Sequence, residues 1–278
     1  MSMSDSKSRL YELTSEPFVL LEKEGVPYYV APNLAVLHGF STRLGGVSVE
    51  PHLESLNLAY GRGDDAWVVE ENQRRFFKAV FGEGDLANAA RREQIHSADI
   101  VYADKGGIYP PGDGFYTDKP GVILTVKIAD CVPILLADPN KRLIAALHAG
   151  WRGTVSGIAK KGVEALCAMG ADPAEIQVAV GTSIRPCCYE VRKDFYDAVK
   201  DSCGEEFAER FVAVRNTSEG TYSADVVGMN LAILKEAGVR EENIALSPLC
   251  TACHSDLFFS HRASKGKRGT MMAAIMLD

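Results

Sequence analysis

The sequence has no hydrophobic run long enough to cross a membrane. Its 278 residues are 46% hydrophobic and 24% charged, and no apolar run approaches the ~20 residues that a membrane helix needs. The polar start, MSMSDSKSRLYELTSE, also lacks the apolar core of a secretory signal. We therefore expect a cytoplasmic protein with no membrane partner, in which residues 1–15 form a flexible tail.

The sequence also lacks clustered positive charge and a regular cysteine framework. Its formal net charge is −7 and its basic residues are scattered, which argues against a nucleic-acid partner because phosphates demand a dense basic surface. Seven cysteines at irregular spacing do not form the disulfide framework of small secreted proteins. We expect buried thiols, metal ligands or nucleophiles. Because no linker-like segment interrupts the chain, residues 16–278 are predicted to form one domain.

The middle of the sequence contains apolar runs that predict buried strands. GVILTV (121–126), VPILLAD (132–138) and LIAALH (143–148) are nearly continuous, as expected of strands covered on both faces. The other predicted elements are a strand within 34–42, a helix capped by Asp64 or Asp65 that ends near Phe81, helices at 154–170, near 191–212 and near 223–237, and strands at 176–181, near 243–247 and near 270–277. This order indicates an α+β (mixed α/β) fold and leaves the strand directions open.

Three polar residues next to these apolar runs are candidates for a metal site. His96 lies in QIHSAD, Cys131 precedes one strand, and His148 ends another. Because Cys131 and His148 flank a hairpin-like unit, both can reach the same end of a sheet. Two imidazoles and a thiolate suit Zn²⁺ and leave a fourth position open, as in catalytic sites. The same residues also fit a Cys131 nucleophile with a histidine base, or an ordinary buried thiol.

Two glycine-rich turns carry arginines that could bind an anion. HAGWRGT (148–154) contains Arg152 and leads into a predicted helix, and STRLGGVS (41–48) contains Arg43. Backbone amides at a helix N-terminus together with a guanidinium favour an anion. A simple turn, in which glycine supplies unusual dihedrals, explains both segments equally well.

Four further cysteines carry no clear assignment. CTACH (250–254) matches a haem-attachment pattern, but covalent haem normally follows export and no export signal is present. A redox CxxC pair and a second metal site are the alternatives, but no second ligand pair is obvious, because Cys187 and Cys188 are adjacent and poorly spaced as co-ligands. We expect buried thiols here and leave the role of Cys250, Cys253 and His254 open.

Several motifs together identify a family resemblance. LNLAYGRGDD, QIHSADIV, DGFYTDKPGVILTVKIADCVPILLAD, ALHAGWRG, GTSIRPCCYEV and CT…FFSHR occur in this order from about residue 36 onward. With these motifs the chain resembles the YfiH-type family, which has been labelled a polyphenol-oxidase (laccase) domain, a purine nucleoside phosphorylase and a peptidoglycan-editing factor. The resemblance implies a single domain of layered mixed sheets flanked by helices.

The resemblance also implies the metal ligands. They are the histidine of the QIH motif, the cysteine of ADC and the histidine of HAGWRG, which correspond to His96, Cys131 and His148. One segment departs from the family, because Gly61 and Arg62 stand where it usually shows histidine and valine. A role for that loop in substrate contact is therefore in doubt.

The resemblance favours a zinc-dependent purine nucleoside phosphorylase. It would act on adenosine, inosine and methylthioadenosine with phosphate, a metal-dependent glycosyl transfer, with adenosine deamination as a side activity. A copper-dependent polyphenol oxidase is disfavoured, because six histidines without an H-x-H pair do not provide the ligands of a multicopper laccase. A single Cu²⁺ could replace zinc at the same site.

The open metal position beside cationic turns suggests roles for individual residues. We expect the metal to activate an oxygen nucleophile or to orient a substrate hydroxyl. Arg43, helped by Arg152, is expected to hold phosphate, and Asp130 to assist proton transfer or to orient a ligand. The competing interpretation is a Cys131- or metal-dependent hydrolase that edits peptidoglycan precursors. A monomer is favoured, although the sequence leaves the oligomeric state open.

Overall fold

Two β-sheets packed face to face form the centre of the structure. The structure is a computed structural model that describes residues 17–82 and 84–278. The first sheet has seven strands, in the spatial order β1 (Val19–Lys23), β2 (Val26–Val30), β3 (Leu37–Ser41), β16 (Met271–Met276), β8 (Ile123–Ile128), β4 (Ala89–Arg91) and β6 (Gly107–Ile108). The second has six, in the order β15 (Ile244–Leu246), β11 (Gln177–Val180), β9 (Val132–Asp138), β10 (Leu143–Ala149), β7 (Gly114–Thr117) and β5 (Ile100–Tyr102). Both sheets mix parallel and antiparallel pairs. The predicted tail at 1–15 lies outside the described residues.

Helices cover the outer faces of both sheets. The described residues contain six α-helices: α1 (Ala66–Phe81), α2 (Trp151–Val155), α3 (Ile158–Ala168), α4 (Lys193–Cys203), α5 (Glu205–Phe211) and α6 (Val226–Glu236). Phe76 and Phe77 of α1 pack on the first sheet, and apolar side chains of the later helices pack on the second. The resulting order of layers, helix, sheet, sheet, helix, confirms the predicted mixed α/β class. No helix in the described ranges combines the length and apolarity that a membrane crossing requires.

The hairpin of β9 and β10 explains the unbroken apolar runs in the sequence. In β9, Ile134 and Leu136 face the helices, whereas Leu135 and Ala137 face the first sheet. Successive side chains of a strand point to opposite faces, so a strand between two cores is apolar at every position. The antiparallel register pairs His148 with Pro133, which brings His148 and the residue before β9 to one end of the sheet, as predicted.

Several local predictions need correction. The helix expected at 154–170 begins earlier, at Trp151, and is interrupted between α2 and α3, where Gly157 has a φ of 77° that a right-handed helix does not accept. The helix expected near 191–212 is likewise divided at Gly204. A third sheet was not predicted; it consists of β12 (Glu190–Arg192), β14 (Thr221–Ala224) and β13 (Val212–Asn216).

Helix α1 begins after Asp65, as predicted, but Asp65 makes no side-chain cap. A buried polar side chain, Asn72, instead fixes the chain in front of the helix. Its Oδ1 accepts a hydrogen bond from the N–H of Val47 at 2.8 Å, and its Nδ2 donates to Ser48 Oγ at 2.9 Å and to the carbonyl of Asn57 at 3.0 Å. The segment held in this way leads directly into residues 59–62, which line a cavity described below.

Replacing Asn72 with alanine is expected to lower the free energy of unfolding by roughly 1–3 kcal/mol, because buried donors and acceptors lose their partners. Arg74→Ala, on the exposed side of the same helix, is the control. Arg74 makes an exposed pair with Glu70, and its replacement should change stability by about 0.5 kcal/mol or less. Urea unfolding of the two variants measures the difference. Equal stability of both would contradict the structural role of Asn72.

Candidate metal centre

The three predicted ligands come together at one end of the second sheet. His96, Cys131 and His148 each offer a ligand atom, and these atoms lie within 4.8 Å of one another. His148 is buried, Cys131 is partly exposed and His96 is exposed. The two imidazole rings are 5.0 Å apart and nearly perpendicular. We call these three residues the triad.

A buried carboxylate that sequence reasoning missed, Asp113, holds two members of the triad in place. Its Oδ1 accepts hydrogen bonds from His148 Nδ1 at 2.7 Å and from the backbone N–H of His96 at 3.0 Å. Its Oδ2 accepts from the N–H groups of Ile95 and Ser97 and from the Ser97 hydroxyl. His96 has a φ of 60°, an uncommon backbone conformation, and the three successive N–H groups around one carboxylate stabilise it.

The charge of Asp113 determines which nitrogen of His148 is available. Burial alone would raise the pKa of Asp113, but hydrogen bonds from His148 and Ser97 outweigh it and lower the pKa to about 2. An ionised carboxylate only accepts hydrogen bonds, so His148 Nδ1 carries the proton that Asp113 accepts. Nε2 is thereby left as the nitrogen that can bind a metal. A carboxylate in this position is typical of metal-binding histidines.

Cys131 and His148 influence each other's ionisation. Burial opposes ionisation of the Cys131 thiol, but the charge of His148 and hydrogen bonds from both histidines lower its pKa to about 6. Burial also opposes the charged form of His148, yet the charge of Cys131 and the bond to Asp113 raise its pKa to about 9. At neutral pH the metal-free site therefore contains a thiolate, which is the form that binds metals.

The glycines of HAGWRG are explained by close approach and not by unusual dihedrals. A Cβ on Gly150 would lie 2.7 Å from His96 Cδ2 and 3.4 Å from Cys131 Sγ. A Cβ on Gly153 would lie 2.5 Å from the carbonyl oxygen of Ser97. The chain after His148 thus passes directly over the other two ligands, and side chains at these positions would displace them.

Asp130, the residue before Cys131, is already engaged by the protein. Its Oδ1 accepts a hydrogen bond from the Thr251 hydroxyl at 2.6 Å, and its Oδ2 accepts from the N–H of Arg262 at 2.7 Å. Its φ of 93° belongs to a region that non-glycine residues rarely adopt. These contacts fix the position of the following residue, Cys131, so Asp130 is a positioning residue in this arrangement.

The triad opens into a cavity of about 790 Å³, within the usual size range of small-molecule sites. Its lining contains five cationic side chains, those of Arg62, Lys127, Arg152, Arg262 and Arg268, and two carboxylates, those of Glu93 and Asp130. Burial and the charge of Arg62 lower the pKa of Lys127, and they lower that of Arg268 to about 10. This excess of positive charge favours an anionic ligand.

The structure separates the two arginines that sequence reasoning paired. Arg152 lines the cavity and stacks over the Trp151 ring at 4.3 Å. Arg43 is not among the residues that line it. The Arg43 guanidinium donates to the carbonyls of Glu54 and Ser255 at 2.8 and 2.7 Å. The expectation that Arg43 holds phosphate beside the triad is therefore revised, because backbone carbonyls anchor its guanidinium outside the cavity that contains the triad.

The donor set of the triad fits a divalent metal. Three ligands on three different segments converge, one is a thiolate at neutral pH, and one imidazole is oriented by a buried carboxylate. Three protein ligands beside a cavity correspond to an open site of the catalytic type. Zinc and copper both accept these ligands.

Comparisons with known proteins agree with this architecture. The chain is 40% identical over 255 residues to a purine nucleoside phosphorylase of Deinococcus radiodurans, a match that covers 91% of this chain and 94% of that protein. It is 34% identical to adenosine deaminase RL5 from an unidentified prokaryote, covering 84% and 90% of the two chains.

A solved structure and a family model give the same result. The crystal structure of the hypothetical protein YfiH of Bacillus licheniformis superposes with a TM-score of 0.86 and 31% identity, covering 95% of this chain and 100% of that one. The family model described as multi-copper polyphenol oxidoreductase laccase matches residues 37–278. These matches confirm the resemblance inferred from the motifs: the chain belongs to the laccase-like YfiH family.

Proposed function

We propose that this chain is a metal-dependent purine nucleoside phosphorylase that transfers the ribosyl group of adenosine, inosine or methylthioadenosine to phosphate. The observation that carries the proposal is the open triad site beside a cavity with excess positive charge. The names of the relatives support the reaction class, and adenosine deaminase RL5 supports deamination as a side activity. In phosphorolysis a phosphate oxygen bonds to the ribose C1′, and the electron pair of the breaking C1′–N bond leaves on the base.

The residues of the cavity suit the two substrates. Arg152 is exposed and lines the cavity, so its guanidinium can donate two parallel hydrogen bonds to two oxygens of one phosphate. Arg268 lies on the same cavity, and its buried Nε has no hydrogen-bond partner among the described residues. Burial raises the pKa of Tyr189 to about 12, helped by the charge of Cys131. Tyr189 therefore stays protonated, and its ring and hydroxyl can contact a purine.

The triad would hold zinc, with Cu²⁺ as a possible substitute. Such an ion supplies Lewis-acid polarisation of a substrate oxygen. Asp113 keeps His148 in the tautomer that the metal requires, and Asp130 positions Cys131. One further histidine, His38, is unsuited to additional copper, because both of its ring nitrogens are engaged by the backbone of Ala31 and Val36 at 2.8 Å.

A second candidate function is a Cys131-dependent hydrolase, for example one that acts on peptidoglycan precursors. The observation that favours it is the ionised Cys131–His148 pair of the metal-free site, since a thiolate beside a histidine is also the arrangement of cysteine nucleophiles. Metal dependence separates the two candidates. A nucleophilic Cys131 would remain active after chelation and would react with iodoacetamide, whereas zinc would protect a ligand thiolate.

The proposed reaction predicts release of adenine from adenosine only when both phosphate and the metal are present. The zinc-loaded protein is incubated with adenosine, with and without phosphate, before and after treatment with a chelator, and the products are separated by liquid chromatography. Cys131→Ala, which removes one ligand, is expected to abolish release. Adenine release that persists after complete zinc removal would contradict the metal-dependent mechanism, and absence of adenine release from the zinc-loaded protein would favour the hydrolase.

Asp113→Asn is expected to weaken zinc binding at the triad by about 10–100-fold, because the amide no longer orients His148 as a carboxylate does. Asp99→Asn, at an exposed carboxylate three residues after His96, is the control and should bind zinc like the wild type. Competition with a chromophoric chelator gives the dissociation constants, and circular dichroism checks the fold. An unchanged zinc affinity in folded Asp113→Asn would show that the carboxylate does not orient the ligand.

Arg152→Ala is expected to raise the KM for phosphate by about 10–100-fold, since one charge-assisted hydrogen bond contributes about 1.5–3 kcal/mol. The KM for adenosine should change much less. Arg43→Ala is measured in parallel, because its guanidinium binds backbone carbonyls outside this cavity. If Arg43→Ala raises the KM for phosphate more than Arg152→Ala does, the phosphate position proposed here is wrong.

A further inference from the structure

Four cysteines outside the triad converge near the surface. Cys187 and Cys188 come from the loop before β12, and Cys250 and Cys253 from a turn after β15; their sulfur atoms all lie within 4.8 Å of one another. We call them the four-cysteine cluster. We propose that this cluster binds a zinc ion in a closed site with four thiolate ligands, separate from the triad.

The distances between the sulfur atoms match this geometry. Cys253 Sγ lies 3.5 Å from Cys187 Sγ and 3.4 Å from Cys188 Sγ. With Zn–S bonds of ≈ 2.3 Å, sulfurs at the corners of a tetrahedron are ~3.8 Å apart. The adjacent cysteines Cys187 and Cys188 looked poorly spaced as ligands in the sequence. In the structure both of their sulfur atoms lie close enough to Cys253 Sγ to bind the same ion.

The backbone around Cys250 favours a thiolate. Its sulfur accepts hydrogen bonds from the N–H groups of Cys253, Arg185 and Ala252. Hydrogen bonds donated to a sulfur stabilise its charged form. The guanidinium of Arg185 is also close enough to interact electrostatically with Cys250 and Cys187. It would offset part of the charge of four thiolates around one divalent ion.

The composition of the cluster selects the metal and the type of site. Four sulfur ligands in a tetrahedral arrangement are typical of structural zinc, and they leave no position open for a substrate. The triad, with two imidazoles and one thiolate beside a cavity, is of the opposite type. The two sites therefore differ in ligand set and in solvent access. Loss of the ion from the cluster would affect stability, whereas loss from the triad would affect activity.

The cluster joins two segments that hold the wall of the triad cavity. The N–H of Thr251 donates to the carbonyl of Ser183 at 3.1 Å, and its hydroxyl donates to Asp130. Arg262 donates through its guanidinium to the carbonyl of Cys188 at 3.3 Å and through its backbone N–H to Asp130. A zinc ion would cross-link the loop at 183–189 to the turn at 250–254. It would thereby stabilise Asp130, next to the triad ligand Cys131.

The test measures zinc binding in a variant whose triad is disabled. In His96→Ala/Cys131→Ala the triad keeps only one of its three ligands. After reduction and metal removal, Zn²⁺ is added and its stoichiometry is measured with a chromophoric chelator. We expect one tightly bound zinc per chain, with X-ray absorption showing four sulfur neighbours at ~2.3 Å. Retention of this zinc does not depend on the proposed phosphorylase activity, so the two proposals can fail separately.

Matched cysteine variants identify the ligands. Adding Cys250→Ser and Cys253→Ser to the triad variant is expected to remove the remaining zinc. Adding Cys167→Ser and Cys203→Ser, at cysteines outside both groups, should leave it bound. If the Cys250/Cys253 variant does not fold, the zinc stoichiometry and the X-ray absorption spectrum of His96→Ala/Cys131→Ala still test whether the cluster binds zinc. Three results would overturn the proposal. They are the absence of bound zinc, a zinc ion with nitrogen or oxygen ligands, and a disulfide within the cluster of the reduced protein.

Discussion

The hydrogen bond between the buried carboxylate of Asp113 and His148 is the interaction on which the site depends. A charged carboxylate with no solvent contact is costly unless donors surround it, and five donors from two segments do so here. The same contacts impose the left-handed backbone at His96 and the tautomer of His148. Two of the three triad ligands are therefore fixed by one side chain that does not itself belong to the triad.

The third ligand is fixed by a different part of the chain. Cys131 lies immediately before β9, where the hairpin register brings it to the same end of the sheet as His148, and Asp130 anchors that point to Thr251 and Arg262. Sheet hydrogen bonds alone do not determine the backbone at Asp130, since its φ of 93° lies outside the strand region. The C-terminal segment thus contributes to the site without supplying a ligand to it.

The sequence predicted the features that depend on local pattern. The buried strands β9 and β10 were evident because both of their faces are apolar, and their hairpin explains why Cys131 and His148 meet. His96 was a candidate from the sequence, but its place beside Cys131 and His148 was supported by the family resemblance, because spacing carries little information on a contact between distant segments. Arg43 and Arg152 occupy similar glycine-rich turns, and only the tertiary structure shows which of them lines the cavity. Asp113, between two glycines, looked like an ordinary turn residue.

The two cysteine-containing groups differ for a physical reason that the fold makes clear. The triad lies at the end of a hairpin whose register brings Cys131 and His148 together, and a tetrahedral metal held by its three ligands would keep one position open. The four-cysteine cluster lies between loops that share an isolated β-bridge, Ser183 with Cys250, and a few further hydrogen bonds. Four thiolate ligands to one zinc ion, as proposed here, would add a cross-link between these loops without lengthening the sheet. Both loops bond to Asp130, through Thr251 and through the N–H of Ile184, so a zinc ion bound at the cluster would also restrain Cys131 and the cavity wall.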